Sequence, residues 1–94
     1  ASLVPEKATP ILARGRAYGE SRIVCGVHWL SDVAAGRLTG TAVFAALMGD
    51  ATFRADLDRA RAELRAALAG PGTVPDQAAC TREATALREP PIEF

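Results

Sequence analysis

The chain has one histidine, and it stands in the segment Ser21-Arg22-Ile23-Val24-Cys25-Gly26-Val27-His28-Trp29-Leu30-Ser31-Asp32. Asp32 follows His28 by four residues at the start of a predicted helix, where a carboxylate can accept from one imidazole nitrogen and leave the other free. An imidazole oriented in this way is a nucleophile or a base. Arg22, near the end of the preceding helix, can bring a planar guanidinium to the same space, and Gly26 lets the connecting backbone pass close to a ligand. Cation, nucleophile and orienting carboxylate would then converge on an anion. Two plainer readings stand beside this one: His28 as a satisfied core histidine between Val27 and Trp29, and Arg22 as an ion-pair partner, for instance of Asp32.

The elements that must position these residues read as helices. Thr9 can N-cap and Pro10 suits the first position of a helix whose apolar residues Ile11, Leu12, Tyr18 and Ile23 recur near helical spacing. Gly15 and Gly19 each cost about 1 kcal/mol relative to Ala in an exposed helix, which predicts another backbone close against that face. Gly26 breaks the pattern. Ser31 then reads as a fresh N-cap with Asp32 in the first turn, and a second helix runs to about Met48. That helix carries Gly36, Gly40, Val33, Leu38, Val43, Phe44 and Leu47, apolar on more than one side as a mostly buried helix would be. Gly49 stops it and Asp50 caps a third helix. There, Phe53, Leu57, Ala60, Leu64 and Ala67 form one stripe, while Arg54, Asp58, Arg61 and Arg65 face elsewhere and Arg59 pairs with Glu63. Gly70, Pro71 and Gly72 end it. Pro75 and Asp76 start a short helix through Cys80 to about Leu87, before Pro90 and Pro91. No alternation of period two lasts long enough for a strand, so the expected fold class is all-α.

Composition narrows the function. At 94 residues and 49% hydrophobic content the chain is one small unit, short for an enzyme. Eleven Lys+Arg balance eleven Asp+Glu, so the basic excess that holds a nucleic-acid backbone is missing. The longest uncharged stretch, Leu38 to Gly49, is 12 residues, against the roughly 18 apolar residues of a membrane-spanning helix. Neither nucleic acid nor a membrane span is expected. Ten of the eleven cations are Arg, a bias that suits bidentate anion contacts and equally suits a genome-wide preference. One His and two distant cysteines are too few ligands for a structural metal, so no metal and no cofactor is expected. Cys25 and Cys80 permit one disulfide across a long loop, which fits an oxidising compartment, or stand as two free, buried thiols.

Ser21, Arg22, His28 and Asp32 match S-R-x5-H-x3-D, the third signature motif of the type 2 phosphatidic acid phosphatase superfamily, without substitution. Four fixed identities at roughly 5% frequency each match by chance at on the order of one position in 10^5. The flanking Tyr18-Gly19-Glu20, Cys25-Gly26-Val27-His28-Trp29, Ser31-Asp32-Val33 and Ala35-Gly36-Arg37 resemble bacterial class A non-specific acid phosphatases over about residues 3 to 69. The resemblance implies a metal-independent enzyme that hydrolyses phosphate monoesters through a phosphohistidine. It implies His28 as nucleophile, Asp32 as its orienting and charge-stabilising partner, Arg22 as a phosphate ligand and Ser21 in a positioning role. It further implies a periplasmic or secreted location, and it leaves a homo-oligomer open.

Members of that superfamily carry two earlier motifs, K-x6-R-P and P-S-G-H, the second supplying the histidine that protonates the leaving group. Lys7 and Arg14 have the first spacing, but Gly15 replaces Pro and six residues to Ser21 leave no room for P-S-G-H, so the spacing reads as accidental. Without a general acid, cleavage of an unactivated ester slows by about 10^2 to 10^4-fold. The chain alone is therefore expected to be nearly inactive: residues 1–72 as the C-terminal helical part of an acid phosphatase bundle and 73–94 as a tail, completed by an N-terminal chain or segment bearing both motifs. Two other readings compete. One is a vanadium haloperoxidase fragment, since that family shares the third motif. The other is a non-catalytic helical interaction module with Phe53, Leu57 and Leu64 as its partner-binding stripe.

Overall fold

A computed structural model describes residues 1–88 and 90–93; Glu89 and Phe94, both within the expected tail, lie outside the described residues. A 3-10 turn at Pro5–Lys7 leads into α1 (Ala8–Val24), followed by α2 (Leu30–Leu47), α3 (Ala51–Ala69) and α4 (Gln77–Ala86), with no strand among the described residues. The fold is all-α.

Two helix starts differ from their sequence reading. Pro5 opens the 3-10 turn and Lys7 stands at the N-cap of α1, without a side-chain cap, so Thr9 lies inside the first turn. Pro10 is tolerated there because the first four helical N–H groups have no intrahelical acceptor anyway. At α2 the N-cap is Trp29, in extended conformation, and not Ser31. Asp32 then sits at the third helical position and its carboxylate accepts the Trp29 N–H at 3.1 Å. The later caps agree with the sequence: Asp50 accepts the Phe53 N–H at 2.7 Å, and Asp76 those of Ala78 and Ala79 at 3.0 and 3.3 Å.

α1 packs against α2, and a Cβ added at Gly19 would lie 3.3 Å from Val33 Cγ1, so this glycine is where the second helix crosses closely. Gly15 has open space instead. Phe44 of α2 meets Phe53 of α3 edge to face at 6.2 Å, and Arg14 of α1 pairs with Glu83 of α4 at 2.9 Å. On α3 the stripe Phe53, Leu57, Ala60 and Leu64 is half-buried. Its charges pair differently from expectation, Arg59 with Asp56 and Arg61 with Asp58. Arg61 also donates to the Ser2 carbonyl at 3.2 Å, tying the helix to the N-terminal segment.

α2 is not the buried helix its composition suggested: none of its residues is buried, and Leu38, Val43, Phe44 and Leu47 are exposed. Val4 is the one buried apolar residue among those described. The chain exposes 7279 Å², whereas a folded monomer of its mass exposes about 5,200 Å². Its radius of gyration, 16.1 Å, likewise exceeds the about 12 Å of a closed domain of this length. The apolar faces are present and face outward.

Candidate active site

The turn between α1 and α2 explains the spacing of the motif. Gly26 adopts φ +70°, the left-handed conformation that glycine takes without penalty. Around it the Gly26 N–H donates to the Ile23 carbonyl at 2.9 Å and the Val27 N–H to the Arg22 carbonyl at 3.1 Å, the paired bonds of a Schellman helix end. The His28 N–H donates to the same Arg22 carbonyl at 3.2 Å. Five intervening residues thus let the backbone of the histidine fasten directly onto that of the arginine. The following i, i+4 step across the start of α2 brings Asp32 to His28.

Asp32 Oδ2 lies 3.3 Å from His28 Nδ1 and accepts from Trp29 N at 3.1 Å, so one carboxylate oxygen faces both donors. A proton held on Nδ1 leaves the Nε2 lone pair free. Both side chains are about half exposed, 53% for His28 and 46% for Asp32.

Arg22 does not pair with Asp32 in this arrangement. Its guanidinium carbon lies 5.6 Å from the centre of the Tyr18 ring, within cation–π range. Its Nε is buried without a hydrogen-bond partner among the described residues. The neighbouring Tyr18 and then Cys25 outweigh desolvation and hold the guanidinium pKa above its ordinary value, so Arg22 is a cation.

Arg22, His28 and Asp32 line one groove of about 470 Å³ between α1 and α2, together with Tyr18 and Arg37. Gly15, Gly19 and Gly36 also border it, and their missing side chains widen it. Ser21 is not brought to this groove: its hydroxyl donates to the Tyr18 carbonyl at 2.7 Å and it borders a separate cavity of about 350 Å³ between α1 and the tail. Cys25 and Cys80 are both free and, in contrast to the buried alternative, exposed. Among the described residues no group of His, Cys, Asp and Glu has a metal-binding arrangement, and no helix is long and apolar enough to cross a membrane.

Three participants were missed in the sequence. Tyr18 and Arg37 line the groove, and Glu20 is buried behind it, bound to Arg16 at 2.8 Å and to Arg37 at 3.2 Å. The i, i+4 spacing of Arg16 and Glu20 was the one local sign of this cluster.

No protein-family model and no solved structure matches the chain. It is 49% identical over 86 residues, 92% of its length, to an acid phosphatase of Zymomonas mobilis. It is 45% identical over 60 residues to a non-specific acid phosphatase of Salmonella typhimurium, and 41% over 59 residues to one of Providencia stuartii, covering 64% and 63% of the chain. The chain spans 32% of the Zymomonas protein and 24% of each of the others, in their C-terminal part.

Proposed function

From the premise that this chain is a homologue of the C-terminal part of bacterial non-specific acid phosphatases, we propose that it carries the nucleophile half of a phosphate-monoester hydrolase. The observation that supports this most is the common groove of Arg22, His28 and Asp32. Phosphoryl transfer asks chiefly for positioning and for charge stabilisation around the equatorial oxygens, and these three side chains offer both without a metal.

In the proposed reaction His28 Nε2 attacks phosphorus as the bond to the leaving oxygen breaks. The imidazole gains positive charge, and Asp32 beside Nδ1 compensates it. The Arg22 guanidinium, which lines the same groove, donates to phosphate oxygens. The leaving oxygen takes a proton from the histidine of a P-S-G-H segment that this chain does not contain. Water then attacks the phosphohistidine, giving a proton back to the histidine of that P-S-G-H segment, the P–N bond breaks, and inorganic phosphate leaves with His28 neutral again.

The rest of the site is supplied by an N-terminal segment or chain carrying K-x6-R-P and P-S-G-H, which also covers the outward apolar faces of α2. The excess of roughly 2,100 Å² of exposed surface supports such a covering partner. On its own the chain turns over an unactivated ester about 10^2 to 10^4-fold more slowly than the complete enzyme. The resemblance extends the proposal to location, periplasmic or secreted, which release of activity by osmotic shock tests.

The deciding experiment is hydrolysis of p-nitrophenyl phosphate by the complete enzyme, with acid-labile phosphate traced to a peptide. The expected label is on the peptide containing His28, absent in His28→Ala. Full turnover in His28→Ala would overturn the mechanism.

A further inference from the structure

Glu20 is the one charged residue buried among those described, and the proposed chemistry does not use it. Its carboxylate is occupied on both oxygens: Oε2 accepts from Arg16 Nη1 at 2.8 Å on its own helix, and Oε1 from Arg37 Nη2 at 3.2 Å on α2. The same Arg37 nitrogen reaches the Arg16 carbonyl at 3.4 Å. An ion pair with its carboxylate 10% exposed adds little to net stability, because desolvation offsets most of the attraction. What it does impose is one relative placement of the two helices.

We propose that Glu20 is a positioning residue for the phosphoryl-transfer groove, acting through Arg37 to hold α2 on α1. The proposal rests on the phosphatase reading above. Glu20 precedes Arg22 by two residues on α1, and Arg37 follows Asp32 by five on α2, so each end of the clamp is rigidly joined to one wall of the site. Glu20 itself does not line the groove, whereas Arg37 does. Beside the clamp a second feature fixes the same crossing: at Gly19 a Cβ would lie 3.3 Å from Val33 Cγ1 and 3.7 Å from Arg37 Nη2. The turn at Gly26 fastens the backbones of Arg22 and His28 but leaves the helix crossing to be set further along. Steric contact sets how near the helices come, and the ion pair sets their register. A change in that register shifts the Arg22 guanidinium relative to His28 and Asp32, and about 1 Å of misplacement costs on the order of 10^2-fold in rate.

The test uses the complete enzyme, in which this chain meets the segment bearing the other two motifs. Orthovanadate titration counts competent sites, and steady-state hydrolysis of p-nitrophenyl phosphate gives kcat per site and KM. In Glu20→Gln the site count should stay near one per molecule, while kcat per site falls on the order of 10^2-fold and KM changes far less. Arg37→Ala should lower kcat by a similar factor, and the double variant should be no worse than the poorer single one, since both act through one contact. Arg37→Lys, which keeps a cation within reach of Glu20, should recover part of the loss. A fall in site count with unchanged kcat per site overturns the proposal, as do effects that multiply in the double variant, or a rise in KM with Arg37→Ala alone. Where Glu20→Gln does not fold, Arg37→Lys decides: no recovery over Arg37→Ala overturns it. A parent enzyme with no turnover, or His28→Ala with full turnover, overturns the phosphatase reading and this inference with it, and is seen before any Glu20 variant is measured.

Discussion

Replacing Asp32 by Asn and by Ala separates the charge of this carboxylate from its geometry. Its Oδ2 lies 3.1 Å from Trp29 N and 3.3 Å from His28 Nδ1, so an amide oxygen in the same place still faces both donors. Asn therefore removes the charge and little else. Two unit charges 3.3 Å apart attract by about 1.3 kcal/mol in a water-like dielectric and by about 5 kcal/mol at an effective constant near 20. In the proposed mechanism the imidazole gains positive charge as Nε2 bonds to phosphorus, so the attraction acts on the transition state and on the intermediate. In a site as open as this one Asp32→Asn should lower kcat about tenfold, and in a site covered by the proposed partner by about 10^3-fold or more. Asp32→Ala also releases the Trp29 N–H, which costs α2 about 1 kcal/mol at its first turn, and frees the imidazole to rotate. Its kcat should fall below that of the Asn variant. The assay is kcat for p-nitrophenyl phosphate beside the urea midpoint of each variant. Unchanged kcat in Asp32→Asn would refute the charge argument. Equal kcat in the two variants would refute the separation of charge from orientation.

Arg22→Lys should lower kcat/KM about 10 to 10^2-fold, the worth of one charge-assisted hydrogen bond, because a point charge replaces two parallel donors; steady-state kinetics on the complete enzyme check it. Gly26→Ala should destabilise the chain by about 1 to 2 kcal/mol through backbone strain at φ +70° alone, since nothing lies within 4 Å of the added Cβ; denaturant unfolding reads this directly. Gly15→Ala, in open space on α1, should stabilise by about 1 kcal/mol. Gly19→Ala should lose most of that gain against Val33, and the two unfolding midpoints compared side by side test whether α2 crosses at Gly19.

Features encoded within a few residues were legible. Asp50 and Asp76 cap because an aspartate before an apolar run has nowhere better to place its oxygens than on the next free N–H groups. Gly26 ends α1 because few residues other than glycine take its conformation. The motif itself is local, Arg22 joined to His28 through one turn and His28 to Asp32 through another, so spacing allowed the meeting, while the resemblance decided it against the core-histidine and ion-pair readings. The missed features are long-range or depend on a close competition. Glu20 and Arg37 are 17 residues apart, and no local pattern states that two helices will cross there. At α2, Ser31 and Trp29 competed for the cap. Trp29 prevailed because Asp32, three residues on, can accept its N–H, an arrangement in which the acidic residue caps backwards. Hydropathy makes α2 look like a buried helix because it reports a demand for cover and not the presence of a neighbour.

That demand and the chemistry concern the same surface. Val24 is 79% exposed, Val27 59% and Trp29 80%, and these residues flank the turn that holds Arg22 and His28. A segment that buries them removes water from beside the proposed nucleophile, and the coupling of Asp32 to a charged imidazole strengthens as the local dielectric falls. In the proposed site the Arg22 guanidinium gains worth as a phosphate donor for the same reason. Apolar cover near His28 would therefore supply two effects at once, folding stability for this chain and electrostatic strength for its site. A partner that supplied only a general acid, leaving Trp29 in water, would restore proton transfer but not the full effect of Asp32. Trp29 emission measured as the covering segment is added distinguishes the two: a blue shift that rises together with kcat ties cover to catalysis, and activity that returns with Trp29 still in water separates them.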